Sequence, residues 1–167
     1  MTKLFTGVRA VFYASGFILL WGWFVALATR VDRAAGRALP VVPGLLAVGI
    51  TLVAAGAFLA LTCAVLFVAR GEGTPAPFDA PKRFVAVGPY RFVRNPMYVG
   101  AITLLVGLGL FLDAPSVFGV AFAAFFFSNL FVIFVEETSL ARRFGETYLA
   151  YKSTTNRWLP RFRAVSG

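Results

Sequence analysis

Four stretches of this chain carry no charged residue, and they are long. Between Arg9 and Arg30 there are 20 uncharged positions, between Arg37 and Arg70 there are 32, between Arg94 and Asp113 there are 18, and between Asp113 and Glu136 there are 22. A helix needs about 20 mostly apolar residues to cross the hydrocarbon core of a bilayer. Four such runs within 167 residues describe an all-α integral membrane protein of one domain with about four spans. Composition agrees. Hydrophobic residues make up 59% and charged residues only 14%, whereas a soluble domain is nearer half apolar and a quarter charged. Disorder is excluded on the same ground.

The spans are expected at about 11–29, 44–69, 96–112 and 116–135. Lys3, Arg9 and the Ala26-Leu27-Ala28 triplet give the first one a rival reading as a signal peptide, but its apolar run is longer than an ordinary signal core. Arg30 to Pro43 form a short basic loop, and Gly44, Gly49, Gly56, Leu104, Gly107 and Gly109 suggest closely packed helices. The 70–95 segment, with Gly71, Gly73, Pro75, Pro77, Pro81, Gly88 and Pro89, reads as a loop with turns. Asn95-Pro96 is a favourable helix start, with Asn as cap and Pro in the first turn. The turn Asp113-Ala114-Pro115-Ser116, with Ser116 as a cap, makes the last two spans an antiparallel hairpin. Beyond Glu136-Glu137 the pattern stays helical to about Tyr151, with Gly145 a kink or an end, and the 136–167 segment is basic.

Net charge is +9. A basic chain can bind nucleic acid, but membrane proteins also concentrate Lys and Arg on cytoplasmic loops. Assigned to alternate sides of the four spans, thirteen Lys and Arg fall with the termini and the long loop, and three fall on the other side. The long loop, both termini and any site they build are therefore expected in the cytoplasm, on a plasma membrane or a bacterial inner membrane. The absence of histidine removes imidazole-ligated metals and Ser-His or Cys-His relays, and no metal site is expected. Lone Cys63 cannot form an intrachain disulfide and reads as a small buried apolar residue. Spans without interior ionisable residues do not suggest a pump, and Thr51, Thr62, Thr103, Ser128 and Asn129 are too scattered to draw a transport path. A small transporter or a structural subunit is the non-enzymatic alternative.

The polar residues cluster instead at the cytoplasmic edge of the last two spans. Because a short turn joins these spans, Asn95 and Glu136 should end within reach of each other. At spacings of three and four, Glu136, Leu140, Arg143 and Thr147 share one helix face, and Glu137, Ala141, Phe144, Tyr148 and Tyr151 share the next. Arg91, Arg142, Lys152, Arg161 and Arg163 read as interfacial anchors. Two adjacent carboxylates beside an Arg-Asn-Pro turn suggest a bound cation or ammonium group.

The run Gly88-Pro-Tyr-Arg-x-x-Arg-Asn-Pro-Met-Tyr-x-Gly100, the Glu136-Glu137 pair, Phe144-Gly145-x-x-Tyr148-x-x-Tyr151 and Arg157-Trp-x-Pro160 resemble the isoprenylcysteine carboxyl methyltransferase family, which belongs with the membrane phospholipid methyltransferases. The likeness covers roughly Arg70 to Arg163. Better-known members carry His in the triplet where this chain has Asn95, which keeps a hydrogen-bond donor but cannot be charged. The resemblance implies S-adenosylmethionine as methyl donor, held by the Arg-Asn-Pro turn, the Glu pair and the C-terminal segment. It also implies a lipidic acceptor arriving from the bilayer, with no Rossmann domain; the chain has no strand-then-glycine fingerprint either. Arg94, Glu137 and Arg157 are then the catalytic candidates. Arg94 or Arg143 would pair with the donor's carboxylate through a planar fork of donors, and Glu137 or Glu136 would accept its ammonium. Asn95, Pro96 and Gly100 would meet its polar end, and Tyr90, Tyr98, Tyr148 and Tyr151 would line the adenine or sulfonium. Arg157 and Trp158 would close the site from the tail. Cationic Lys82, Arg83 and Arg91 favour an anionic acceptor head, so a carboxylate such as an isoprenylcysteine-type group is expected, with phospholipid N-methylation as the alternative.

Overall fold

The computed structural model describes residues 3–71, 74 and 82–160. Gly73, Pro75, Pro77 and Pro81 of the long loop and Arg161 and Arg163 of the tail lie outside the described residues. Five helices follow one another: α1 Lys3–Ala34, α2 Leu45–Leu66, α3 Pro96–Phe111, α4 Ser116–Phe131 and α5 Glu137–Thr154. Among the described residues there is no strand, and one isolated parallel bridge joins Val93 to Asn156.

Three helical segments are long and apolar enough to cross a membrane: Phe5–Ala34, Leu45–Gly71 and Ser116–Thr154, with mean hydropathies of 1.9, 2.5 and 2.3. These make the chain an integral membrane protein. The expectation of four full-length spans needs adjustment, because α3 has only 16 residues, or about 24 Å of rise. Large apolar side chains stand exposed along the helices, among them Phe12, Ile18 and Leu19 on α1, Phe58 and Leu61 on α2, and Phe122 and Phe127 on α4. Helices that are apolar all round need a lipid surround to be stable.

The tightest packing is between α2 and α3, which run antiparallel. Gly49 and Gly56 on α2 are seven residues apart, as are Gly100 and Gly107 on α3. A Cβ on Gly56 would lie 2.5 Å from the Gly100 carbonyl, and one on Gly107 would lie 2.6 Å from the Val53 nitrogen. The two backbones therefore touch along a glycine seam, as small residues permit in lipid. Gly109 faces the Phe118 ring of α4 instead, and Gly44 precedes α2 at φ 85° with nothing within 4 Å of where a Cβ would stand. On the other side of the hairpin, Val25 and Ala28 of α1 pack against Leu105, Ala114, Val117, Ala121 and Ala124.

The end of the bundle that carries the Arg30–Pro43 segment is tied by carboxylates. The expected loop from Arg30 is partly helix, because α1 continues to Ala34 and buries Asp32. Ser116 is not the cap of α4: Pro115 takes that position, and Ser116 is the first helical residue. Its backbone N–H and hydroxyl both donate to Asp32, at 2.8 and 2.6 Å. A carboxylate at a helix N-terminus satisfies orphan donors and opposes the helix dipole, and here it arrives from another helix. Asp113 in the turn likewise accepts from the Leu39 backbone at 2.7 Å.

At the opposite end α4 runs through a π-helical turn, Val132–Glu136, directly into α5. Such a turn holds one residue more than an α-turn and often occurs at functional sites. The kink expected at Gly145 is present. Its φ of 50° and ψ of −130° lie outside helical geometry and divide α5 into two arms. Glycine occupies this conformation at no steric cost.

Candidate functional site

The residues brought together at this end come from four places: the turn before α3, the junction of α4 and α5, the second arm of α5, and the segment that follows it. That last segment folds back. The Arg94 backbone N–H donates to the Asn156 carbonyl at 2.8 Å. The Asn95 amide donates to the Arg157 carbonyl at 3.2 Å. The Trp158 indole donates to Asn129 of α4 at 2.9 Å, and its ring packs against Tyr98 and Phe125.

Asn95 does precede the helix but makes no side-chain cap, since its amide is turned to the returning segment. Within the same cluster Tyr98 donates its hydroxyl to Glu136 at 3.2 Å. Asn95 and Glu136 thus share one end of the hairpin, as its short turn requires.

Glu137 is 7% exposed and meets three cations. Arg157 Nε donates to its Oε1 at 2.7 Å, Lys152 Nζ lies 2.8 Å from its Oε2, and Arg94 Nη1 lies 3.1 Å from Oε1. The bond to Glu137 holds the Arg157 guanidinium above its already high pKa. Lys152 is a correction to the sequence reading, which made it an interfacial anchor; it belongs to this ion cluster. Arg94 is less well satisfied than its distance suggests. Its Nε and Nη1 are buried, and neither forms a hydrogen bond of acceptable angle among the described residues.

A cavity of about 120 Å³ lies beside the cluster. Its walls include Tyr90, Arg94, Asn95, Glu136, Glu137, Arg143, Tyr148 and Tyr151 from the expected set. The remaining expected residues stand elsewhere. Pro96 is buried at the helix start, Tyr98 is hydrogen-bonded to Glu136, and Gly100 stands in the glycine seam against Gly56 and Ala60. Thr147, placed on the Glu136 face by regular spacing, is exposed beyond the Gly145 break.

Aromatic packing closes the cavity. Phe84 was not singled out in the sequence, yet its ring meets Phe144, Tyr148 and Tyr151 at centroid distances of 5.5, 6.1 and 5.2 Å. Tyr151 donates its hydroxyl to the Tyr90 carbonyl at 2.6 Å. Tyr90 stacks on Phe67, and burial, with Cys63 beside it, pushes its phenol well above the usual pKa. No signal in the sequence marks Phe84, because the contacts that define it come from residues 60 or more positions away.

Thr51 and Thr62 return their hydroxyls to the carbonyls of Ala47 and Phe58, each at 2.8 Å, and Asn129 holds Trp158.

No curated protein matches the chain. A family model described as phospholipid methyltransferase matches residues 45–147, which spans α2, the glycine seam, the Arg-Asn-Pro turn, the hairpin and the first arm of α5. With more than half its length matched, and with Arg94, Asn95, Glu136 and Glu137 inside the matched region, the chain belongs to the phospholipid methyltransferase family.

Proposed function

We propose that the protein transfers a methyl group from S-adenosylmethionine to the polar head of a lipidic acceptor, at a site facing the cytoplasm. One observation carries this reading: the cavity wall offers an anion site and a cation site together. Arg94 stands on the wall with a guanidinium whose buried Nε and Nη1 make no hydrogen bond among the described residues, and Glu136 brings a carboxylate whose one partner among the described residues is the Tyr98 hydroxyl. The amino-acid end of the donor carries a carboxylate and an ammonium, so these residues fit it. Arg94 takes the carboxylate through its fork, and Glu136, oriented by Tyr98, takes the ammonium. The cavity, at about 120 Å³, would suit that end of the molecule.

Bound there, S-adenosylmethionine supplies an activated methyl group on a sulfonium. The protein's part is alignment and exclusion of water. Phe131, Val132, Val135 and Leu140 give an apolar wall, and Tyr148, Tyr151 and Phe144 offer ring faces that attract a cation. Arg143 and Arg83 stand on the same cavity and favour an anionic acceptor head. A carboxylate acceptor needs no general base, in keeping with a site that lacks histidine. An amine acceptor is the second reading, favoured by the description of the matching family. It must lose a proton first, and Glu136 is the carboxylate on the cavity without a cation partner among the described residues.

Titration of purified protein with S-adenosylhomocysteine tests the donor. Saturable binding is expected, and its absence removes the methyltransferase reading. A transfer assay with a prenylated cysteine analogue, its unprenylated form and phosphatidylethanolamine tests the acceptor. Methylation of the lipid amine alone overturns the carboxylate preference, and equal turnover with and without the prenyl chain removes the case for a lipid-facing site.

A further inference from the structure

Glu136 and Glu137 are neighbours in sequence but not in circumstance. Both oxygens of Glu137 are engaged, Oε1 by Arg157 and Arg94 and Oε2 by Lys152. The three cations belong to three different segments: the turn before α3, the last turn of α5, and the returning tail. Lys152 is fifteen positions beyond Glu137, which in a straight helix is about 22 Å of axial rise. Two side chains cannot bridge that gap. The 2.8 Å contact exists because the Gly145 break folds the second arm of α5 back towards the first.

The geometry points to Glu137 as a positioning residue, not a ligand of the donor: its carboxylate clasps the Arg94 turn, the second arm of α5 and the tail together, and thereby aims Arg94 into the cavity that Glu136 faces. A buried carboxylate left without a cation is costly, so three cations from three segments give the clasp its hold. Because Nη1 of Arg94 touches Glu137 at an angle too poor for a good hydrogen bond, the guanidinium is steered without being saturated. The Arg94 side chain, 11% exposed on the cavity wall, is thereby held where an incoming anion would meet it. The inference rests on the donor reading given above.

The test separates the two carboxylates by removing one group at a time from the ligand. S-adenosylhomocysteine, its deaminated analogue and its decarboxylated analogue are titrated into wild type, Glu137→Gln, Lys152→Met and Glu136→Gln. For Glu137→Gln, affinity for S-adenosylhomocysteine should fall by roughly tenfold, the size expected for a weakened charge-assisted bond. The fall should be the same with the deaminated analogue and largely disappear with the decarboxylated one, because the loss acts through Arg94. Glu136→Gln should show the reverse pattern. Lys152 is 43% exposed, so Lys152→Met perturbs the fold least and should repeat the Glu137→Gln pattern in weaker form; it stands in if Glu137→Gln does not fold. A Glu137→Gln or Lys152→Met penalty that vanishes with the deaminated analogue overturns the assignment.

A readout without ligand keeps the two proposals apart. Spin labels at Thr138 and Ser153, both exposed, report the distance between the arms of α5. A narrow, short distribution should broaden and lengthen in the Glu137→Gln and Lys152→Met variants. An unchanged distribution overturns the clasp whether or not the donor binds. If wild type binds none of the three ligands while the distribution responds as expected, the donor reading fails and the clasp stands.

Discussion

The glycine seam makes a sharp mechanical prediction. An alanine at position 56 would place its Cβ 2.5 Å from the Gly100 carbonyl and 2.6 Å from the Leu104 nitrogen. Both are backbone atoms of the facing helix, so no rotamer change relieves them, and α2 and α3 must part. Overpacking of this kind costs about 1–3 kcal/mol. In a soluble helix some of that would be offset by the gain of roughly 0.5–1 kcal/mol on replacing glycine. In a bilayer the segment stays helical even when the bundle loosens, because its backbone groups have no other partners, so the offset is small. Gly56→Ala should therefore destabilise by about 1–3 kcal/mol. Gly16→Ala, with nothing within 4 Å of its Cβ, should be close to neutral. The double variant Gly56→Ala/Gly100→Ala should cost less than the two singles added, since both strain the same contact and the first already separates the helices. The assay is reversible unfolding in mixed micelles followed by circular dichroism, with S-adenosylhomocysteine affinity measured beside it. Affinity should fall in the seam variants, because α3 carries the Asn95 turn. Equal stability of Gly56→Ala and Gly16→Ala would refute the seam.

Arg94→Gln should weaken S-adenosylhomocysteine binding by roughly tenfold to a hundredfold, the equivalent of 1.5–3 kcal/mol for a charge-assisted bond. Its melting temperature should change little, because Glu137 keeps Lys152 and Arg157; Arg37→Ala, exposed at the opposite end, should leave affinity unchanged. In a Cys63→Ala background, cysteines at Lys82 and Ser153 should be labelled from one side of the membrane and a cysteine at Ala35 from the other. All three positions are exposed, whereas Thr74 is buried and unsuitable for such labelling; labelling of 82 and 153 from opposite sides would break the shared site. Asp32→Ala should cost about 0.5–2 kcal/mol as a lost helix cap, and Ser116→Ala less, because its backbone N–H still reaches Asp32. Unfolding of the two variants, with donor affinity unchanged in both, is the check.

What the sequence made legible follows from which signals are local. Gaps between charges locate spans because every charge must stay out of the hydrocarbon. A four-residue connection, Leu112 to Pro115, brings Asn95 and Glu136 to one end by geometry alone. Small residues in α2 and α3 marked the seam, although Gly100 resembled a site residue and is part of the seam. The rest hung on one torsion angle. Counting in threes and fours assumes the helix continues, so it carried the Glu136 face on to Thr147 and left Lys152 as an anchor. The φ of 50° at Gly145 ends that count, exposes Thr147 and returns Lys152 to Glu137. Asp32 was hidden for a different reason. Its partners are on Ser116, 84 residues away, and nothing near Asp32 announces them.

The short third helix gives these pieces a common reason. α3 rises about 24 Å against a hydrocarbon core of about 30 Å. If its far end, beside the Asp32–Ser116 and Asp113–Leu39 contacts, sits at one boundary of that core, its near end at Asn95 would stop short of the other. The Arg94 turn would then lie towards the acyl region, where an uncompensated charge is expensive. A carboxylate with three cations, an indole tied to Asn129 and a phenol tied to Glu136 are what such a depth demands, because water is scarce there to satisfy them. The same depth suits the proposed chemistry. A lipid acceptor of the kind proposed would not need to be lifted out of the bilayer to present its head: its tail would stay among apolar side chains, with the head level with the cavity. A chain with so little polar mass can then serve as a methyltransferase, because the bilayer supplies the acceptor's binding energy and the protein has only to hold a small donor in line.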